Sequence, residues 1–390
     1  MTASFEPQRR FIAYSSTVNE VKTVVEVRIK TNKKLKVVYL HRKPRQFGNF
    51  SIESYFEDIR SYLPIVSNKI EPIVYQSPFF SDGILPRIKN ILDAKKQTNN
   101  LKSDINHITG DVHFLTMGLN PKKTILTIHD CAFLEQETIS SKNKLKDKLK
   151  YSLKHKFLKT FWLDIPVKQS RFITAVSEAT KNEIIKHTNC NPDKIIVIPT
   201  TISPKFEEAI QNYIPKPFNS QKPIILQLGA AFNKNLERLF ESLEGINCQL
   251  HIIAPLSEHH FELLKKFKID YKHEDKVSFE DLILAYKNCD LVSFVSTIEG
   301  FGMPIIEAQT LQKPVITSTI SSMPWVAGKG SGLVNPYSIT EIKKGILKII
   351  NEENYRNELI KNGLENVKRF NPKTVAGQYV ELYERMGNGN

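Results

Sequence analysis

The chain has 390 residues, 41% of them hydrophobic and 25% charged, which suits two domains of ordinary size, each burying its own core. No apolar run approaches the roughly 18 residues of a membrane span, and the start, MTASFEPQRRFIAY, lacks the apolar stretch of a signal peptide. The formal net charge of +14 points to an anionic partner, and the four cysteines, Cys131, Cys190, Cys248 and Cys289, are too scattered for a zinc or disulfide framework, so a reducing cytoplasm is expected.

Residues 1–34 read as an N-terminal extension, with Val25, Val27 and Ile29 alternating with Glu26, Arg28 and Lys30 as in a half-buried strand. Residues 35–40, LKVVYL, are the first buried strand. The loop after it carries His41, Arg42, Lys43, Arg45, Gly48 and Asn49, and Ser51 is placed to cap a helix. Further strands are expected at 70–75, near 112–115 and at 124–128. Strands alternating with helical stretches predict a parallel α/β sheet. The last of these ends at His129 and Asp130, the edge of such a sheet where ligands bind.

In residues 140–162, Leu145, Leu149, Leu153, Phe157 and Phe161 form one helical stripe among many lysines. Two readings of that helix stand: a solvated basic face, or a surface lying against anionic lipid. Residues 173–185 read as a strand, Ser177 as N-cap, and a helix, and 194–200 as the last strand of a first domain, residues 35–203. Pro204, Pro215, Pro217, Asn219 and Ser220 mark 204–222 as a linker. A second domain, 223–371, restarts with the strand PIILQLG ending at Gly229, and Lys234 and Asn235 then lead into a helix. A strand at 248–254 follows, and a final helix from Pro372 closes the chain, residues 372–390.

The most informative stretch is LVSFVSTIEGFGMPIIEAQ, residues 291–309. Its apolar start is too short for a helix and fits a strand buried on both faces. Gly300 and Gly302 flank Phe301 in a loop, and Pro304 sits where the first helical residue tolerates it. A strand, a glycine loop and a helix N-terminus attract a phosphate or diphosphate. Glu299 and Glu307 bracket the loop with seven residues between them, and carboxylates accept hydrogen bonds from hydroxyls. A ligand bearing both phosphates and sugars explains both features; an ordinary αβ turn with two surface glutamates is the other reading of the stretch taken alone.

The segment EGFGMPIIEA resembles the E-x7-E signature of the retaining GT-B-fold glycosyltransferases of family 4. The likeness extends over roughly residues 35–386 and includes His129–Asp130, the VSE segment at 176–178 and SSMPWVAGKGSGLVNP, where Trp325 stands in place of the usual Glu. It implies an α/β fold of GT-B architecture, two Rossmann-like domains facing across a cleft, with the final helix packing back on the first. It also implies catalytic roles for Glu299 and His129, and donor binding by Gly229, Lys234, Asn235, Val277, Gly300, Phe301, Gly302, Met303 and Glu307. Gly48, Asn49 and Asp130 would belong to the acceptor or cleft loops. Ala230 occupies the place of one cation the family usually carries, and Thr200 and Thr201 that of its Asn-Gly pair.

The function so implied is transfer of a hexose-type sugar from a nucleoside-diphosphate sugar to a saccharide or lipid-linked saccharide, in bacterial polysaccharide or glycolipid synthesis. No cofactor and no metal are expected, and a cytoplasmic protein peripheral at the inner membrane face would suit the charge. A GT-B sugar-nucleotide epimerase and a non-enzymatic binder of anionic ligands are the alternatives. Nucleic acid is not an expected partner, because the lysines are not interleaved with aromatic stacking residues.

Overall fold

The computed structural model describes residues 34–43, 51–131, 156–157 and 159–388. The strand expected in the N-terminal extension, Gly48 and Asn49, and most of the 142–162 helix lie outside the described residues.

Two six-stranded parallel sheets organise the chain. The first contains β1 (Leu35–His41), β2 (Ile70–Gln76), β3 (Ile105–Ile108), β4 (Thr124–Ile128), β5 (Phe172–Ala175) and β6 (Ile195–Val197), in the order β2-β1-β3-β4-β5-β6. Its connections include α1 (Ser51–Val66), α2 (Ile84–Asn100), the short α3 (Ile165–Lys168) and α4 (Glu178–Thr188). After α5 (Pro204–Ile210) comes the second sheet. Its strands are β7 (Ile224–Leu228), β8 (Gln249–Ile253), β9 (Asp270–Glu274), β10 (Leu291–Phe294), β11 (Val315–Ser318) and β12 (Gly332–Val334), ordered β12-β11-β10-β7-β8-β9. Helices α6 (Leu236–Leu243), α7 (Glu258–Lys266), α8 (Phe279–Asn288), α9 (Met303–Thr310), α10 (Met323–Ala327), α11 (Ile339–Asn351) and α12 (Glu353–Asn366) surround it. This is the α/β, GT-B arrangement.

Burial on both faces explains why the central strands β4 and β10 are largely apolar, broken only by small hydroxyl residues such as Thr127 and Ser293. All of β4 and all of β10 are buried. Parallel pairing also sets every carboxyl end of a sheet on one edge, so His129 and Ser177 share an edge of the first sheet, and Gly229 and the glycine loop an edge of the second.

Two expectations are corrected. Residues 113–118 form a 3-10 turn, and the strand lies earlier, at Ile105–Ile108. Asn106 and His107 disguise it: both are buried but polar, and each is satisfied by a side-chain partner, so the strand shows no apolar run. The linker is not wholly irregular either. Pro204 opens α5, and Phe206 is fully buried against the rings of Phe279 and Tyr286, with centroids 5.5 and 5.7 Å away. The exposed strand β9, which has no apolar pattern, was also not expected.

The chain crosses between the sheets twice. Ile202 N–H and the Thr201 hydroxyl both donate to the Phe370 carbonyl, at 3.0 and 2.8 Å, which fastens the two crossings together. Helix α13 (Pro372–Gly387) then returns to the first sheet. Its Val375, Tyr379, Tyr383 and Met386 fill one core with Val37, Tyr39, Phe56 and Ile59. The hydroxyl of Tyr383 lies 2.8 Å from that of Tyr39 and 2.7 Å from His107 Nδ1. His107 Nε2 continues to Thr127 Oγ1 at 2.7 Å, and Thr127 to Thr174 at 2.6 Å. Burial pushes the His107 imidazole well below its ordinary pKa, so the ring is a neutral relay in this chain.

Candidate active site

The site is assembled from the carboxyl ends of β4, β7 and β10. Gly229, with φ +79, ends β7 and lets the Lys234 side chain fold back across it; a Cβ there would lie 3.0 Å from Lys234 Cε. Lys234 Nζ reaches Glu299 Oε1 at 2.7 Å and sits 4.7 Å from the centre of the Phe294 ring. Asn233 Nδ2 donates to the same carboxylate oxygen at 3.0 Å and to the Ile298 carbonyl at 2.9 Å. The Glu299 and Lys234 side chains are only 15% and 19% exposed, so the pair is held with little solvent to screen it. Ser321 and Ser322 clamp the Glu299 backbone, the Ser321 and Ser322 hydroxyls donating to its carbonyl at 2.8 and 3.0 Å.

Gly302, at φ +112, turns the loop into α9, and Pro304 follows Met303 in its first turn. Glu307, one turn on, accepts the Tyr286 hydroxyl at 2.5 Å. Burial raises its carboxyl to about 7, against the lowering influence of the Tyr286 hydrogen bond and the Lys234 charge. Lys234 thus stands between two glutamates that differ in setting: one ion-paired, the other desolvated.

The first half closes over this loop at one glycine. A Cβ on Gly300 would meet the His129 carbonyl oxygen at 2.0 Å and Asp130 Cβ at 2.9 Å. The Gly300 carbonyl accepts the hydroxyls of Ser177, at 2.7 Å, and Thr180, at 3.1 Å. Ser177 also caps α4 by accepting the Thr180 N–H. His129 is half-buried beside these contacts, its Nε2 2.9 Å from the Thr109 carbonyl. A carbonyl can only accept, so Nε2 carries the proton and Nδ1 of the neutral ring is left as the acceptor. Exposed Asp130 and the half-buried Val277, in the loop between β9 and α8, complete the described residues expected at the site.

Two expected donor-binding side chains are elsewhere. Asn235 is 5% exposed and left-handed at φ 61; its amide donates to the Val295 and Pro336 carbonyls, and its oxygen accepts from Arg238. That side chain holds α6 to the end of β10 and is spent inside the fold. The Phe301 ring is buried edge-on to Phe370, with centroids 5.4 Å apart, so only its backbone faces the loop. Conversely, Asn233, Ser177, Thr180, Ser321 and Ser322 shape the site. Ser177 lies in the VSE segment and at an N-cap, and Ser321 and Ser322 open the SSMPWVAGKGSGLVNP segment, but neither signal assigned them a contact; Asn233 was marked only by its proximity to Lys234, and Thr180 carried no signal of its own.

Residues 210–366 match the glycosyl transferases group 1, and residues 49–206 match Glycosyltransferase Family 4. The serotype-specific mannosyltransferase WbdA of Escherichia coli is 25% identical over 234 residues, covering 55% of this chain and 29% of that protein. The O-antigen chain mannosyltransferase RfbU of Salmonella typhimurium is 26% identical over 225 residues, covering 56% of this chain and 62% of that one. The chain therefore matches less than two thirds of the length of either relative. Among solved structures, sucrose-phosphate synthase from Thermosynechococcus elongatus superposes with a TM-score of 0.67 at 16% identity, over 92% of this chain and all of that one, a likeness of fold.

Proposed function

Because the chain belongs to the group 1 glycosyl transferases of family 4, we propose that it moves a hexosyl unit from a nucleoside-diphosphate sugar to a saccharide or lipid-linked saccharide acceptor, with retention at the anomeric carbon. The observation that carries this reading is the Glu299 carboxylate, held by Lys234 and Asn233 at the end of β10 while His129 approaches the same loop from the first sheet. The names of the two relatives favour mannose as the hexose and polysaccharide synthesis as the setting.

In this reading the diphosphate lies against the N-terminus of α9, near the backbone of Gly300, Gly302 and Met303. Lys234 turns from Glu299 toward the phosphates and stabilises the charge that grows on the leaving group. Glu299, released from that pair, faces the sugar. Glu307 takes the ribose hydroxyls, and backbone groups near Val277 meet the base. His129, accepting at Nδ1, holds a hydroxyl of the transferred sugar, with Asp130 toward the acceptor. Among the described residues no helix is long and apolar enough to cross a membrane. The lysine-rich 142–162 segment supports contact with anionic lipid.

A thermal-shift panel of mannose and glucose conjugates of uridine, guanosine and adenosine diphosphates tests the donor, since a ligand that binds only the folded chain raises Tm. A rise with one mannosyl conjugate is expected. Release of free nucleoside diphosphate that requires an added saccharide identifies transfer. Interconversion of the sugar nucleotide without an acceptor would instead identify an epimerase.

A further inference from the structure

Helix α2 packs Ile91 on the core but turns most of its large apolar side chains outward. It buries Asn90, Ala94 and Thr98, and leaves Ile84, Leu85, Ile88 and Leu92 exposed at 69%, 72%, 47% and 62%. The rotation is fixed from inside. Asn90 accepts the Phe79 N–H at 3.1 Å and donates to the Phe79 carbonyl at 3.0 Å, and Thr98 donates back to the Ala94 carbonyl at 2.8 Å. Turning the apolar side inward would take Asn90 away from the Phe79 N–H and carbonyl, whereas the Thr98 bond lies within the helix and would persist. Phe79 and Phe80, in the loop leading into the helix, are exposed as well.

Single exposed apolar residues are ordinary, but a contiguous set on one face is not. At roughly 100° per residue, Ile84, Ile88, Leu92 and Leu85 share one side of α2, and Lys95, Lys96 and Lys89 fall on that side or at its margin. Lys43 Nζ lies 4.7 Å from the Phe80 ring centre and Lys89 Nζ 5.4 Å from that of Phe79. Asp93, the acidic residue of the helix, is turned inward and accepts the Tyr75 hydroxyl at 2.8 Å. The face is therefore apolar and cationic. A second copy of this chain laid on it symmetrically would set these lysines against their own counterparts.

We propose that α2 and the Phe79–Phe80 loop form a docking surface for an anionic lipid bilayer. The apolar side chains enter the headgroup boundary and the lysines rest on the negative surface. The loop follows the carboxyl end of β2, on the sheet edge that also bears His129, so docking brings the first half's rim of the cleft to the membrane. The binding surface itself stands whether or not the proposed transfer is correct.

The test is sedimentation of the full chain with vesicles of phosphatidylcholine alone and of phosphatidylcholine with phosphatidylglycerol at two to one, in low and high salt. Binding to the anionic vesicles, weakened by salt, is expected. Leu85→Glu with Leu92→Glu, at exposed positions, should weaken it more than tenfold with Tm unchanged, and Lys95→Glu with Lys96→Glu should weaken it comparably. Equal binding by the Leu85→Glu/Leu92→Glu protein overturns the proposal. So does a loss seen only when the lysines of 142–156 are replaced. A concentration-dependent dimer that the same substitutions dissolve, without vesicle binding, assigns the face to a second copy instead.

Discussion

Glu299 and Glu307 lie in one motif, yet their surroundings differ, and the proposed reading gives them different work. Glu299 is ion-paired beside the glycines, where a sugar would meet it. Replacement by Gln should lower kcat roughly 10²-fold or more, with nucleoside diphosphate still bound. Glu307→Gln should instead raise the donor KM and weaken the nucleotide, because the ribose contacts proposed for it would persist unchanged through the reaction. Steady-state kinetics with calorimetry on the sugar-free nucleotide separates the two; equal loss of nucleotide binding in both variants would refute the division. Glu307 also predicts a pH dependence. Its folded pKa, about 7, lies above the ordinary 4.5, so the native state holds this proton more tightly than the unfolded chain does. That contribution to stability is full below 4.5 and lost as pH rises through 7. Ribose hydroxyls prefer the carboxylate, so nucleotide binding should expel a proton below pH 7, and affinity should fall with acidification by up to roughly tenfold per pH unit. Calorimetry in buffers of different ionisation heat measures that release, and Glu307→Gln should abolish it. The place of these residues around the glycine loop was legible in the sequence because motif spacing is local. Asn235 misled because the same spacing cannot tell a side chain facing the cleft from one tying α6 to β10.

Among elements, those with a clean apolar period were readable: β1, β4, β10 and α13 fall where their patterns place them. The strand β3 was not, since Asn106 and His107 are satisfied by Ser103, Tyr383 and Thr127, partners close in space and mostly remote in sequence. The same network makes α13 integral to the first sheet. Tyr383→Phe leaves His107 Nδ1 and the Tyr39 hydroxyl short of a partner in a buried site. It should cost about 1–3 kcal/mol of stability. Denaturant titration is the check, with a lower midpoint and an unchanged m-value expected. An unchanged midpoint would mean that the hydroxyl network adds nothing to the packing of the rings.

Across the whole molecule, the seam between the two sheets gave no sequence signal, because nothing local marks Gly300 as the residue that the His129 carbonyl must approach. Gly300→Ala puts a methyl 2.0 Å from that oxygen, on backbone that cannot yield like a side-chain end. Turnover should fall roughly 10²-fold through misplacement of the first half's groups. Nucleoside diphosphate, which the proposed reading places on the second half, should bind within a few-fold of wild type, and small-angle scattering should report a larger radius. A normal rate would mean that the seam is dispensable. The return of α13 has a consequence of another kind, for the order in which the protein is made. The apolar underside of β1 and α1 is synthesised early, yet its cover, Val375 to Met386, leaves the ribosome only after the entire second half has been translated. The first half therefore waits uncovered while the second folds, and nascent chains stalled before Pro372 should be the ones that recruit chaperones.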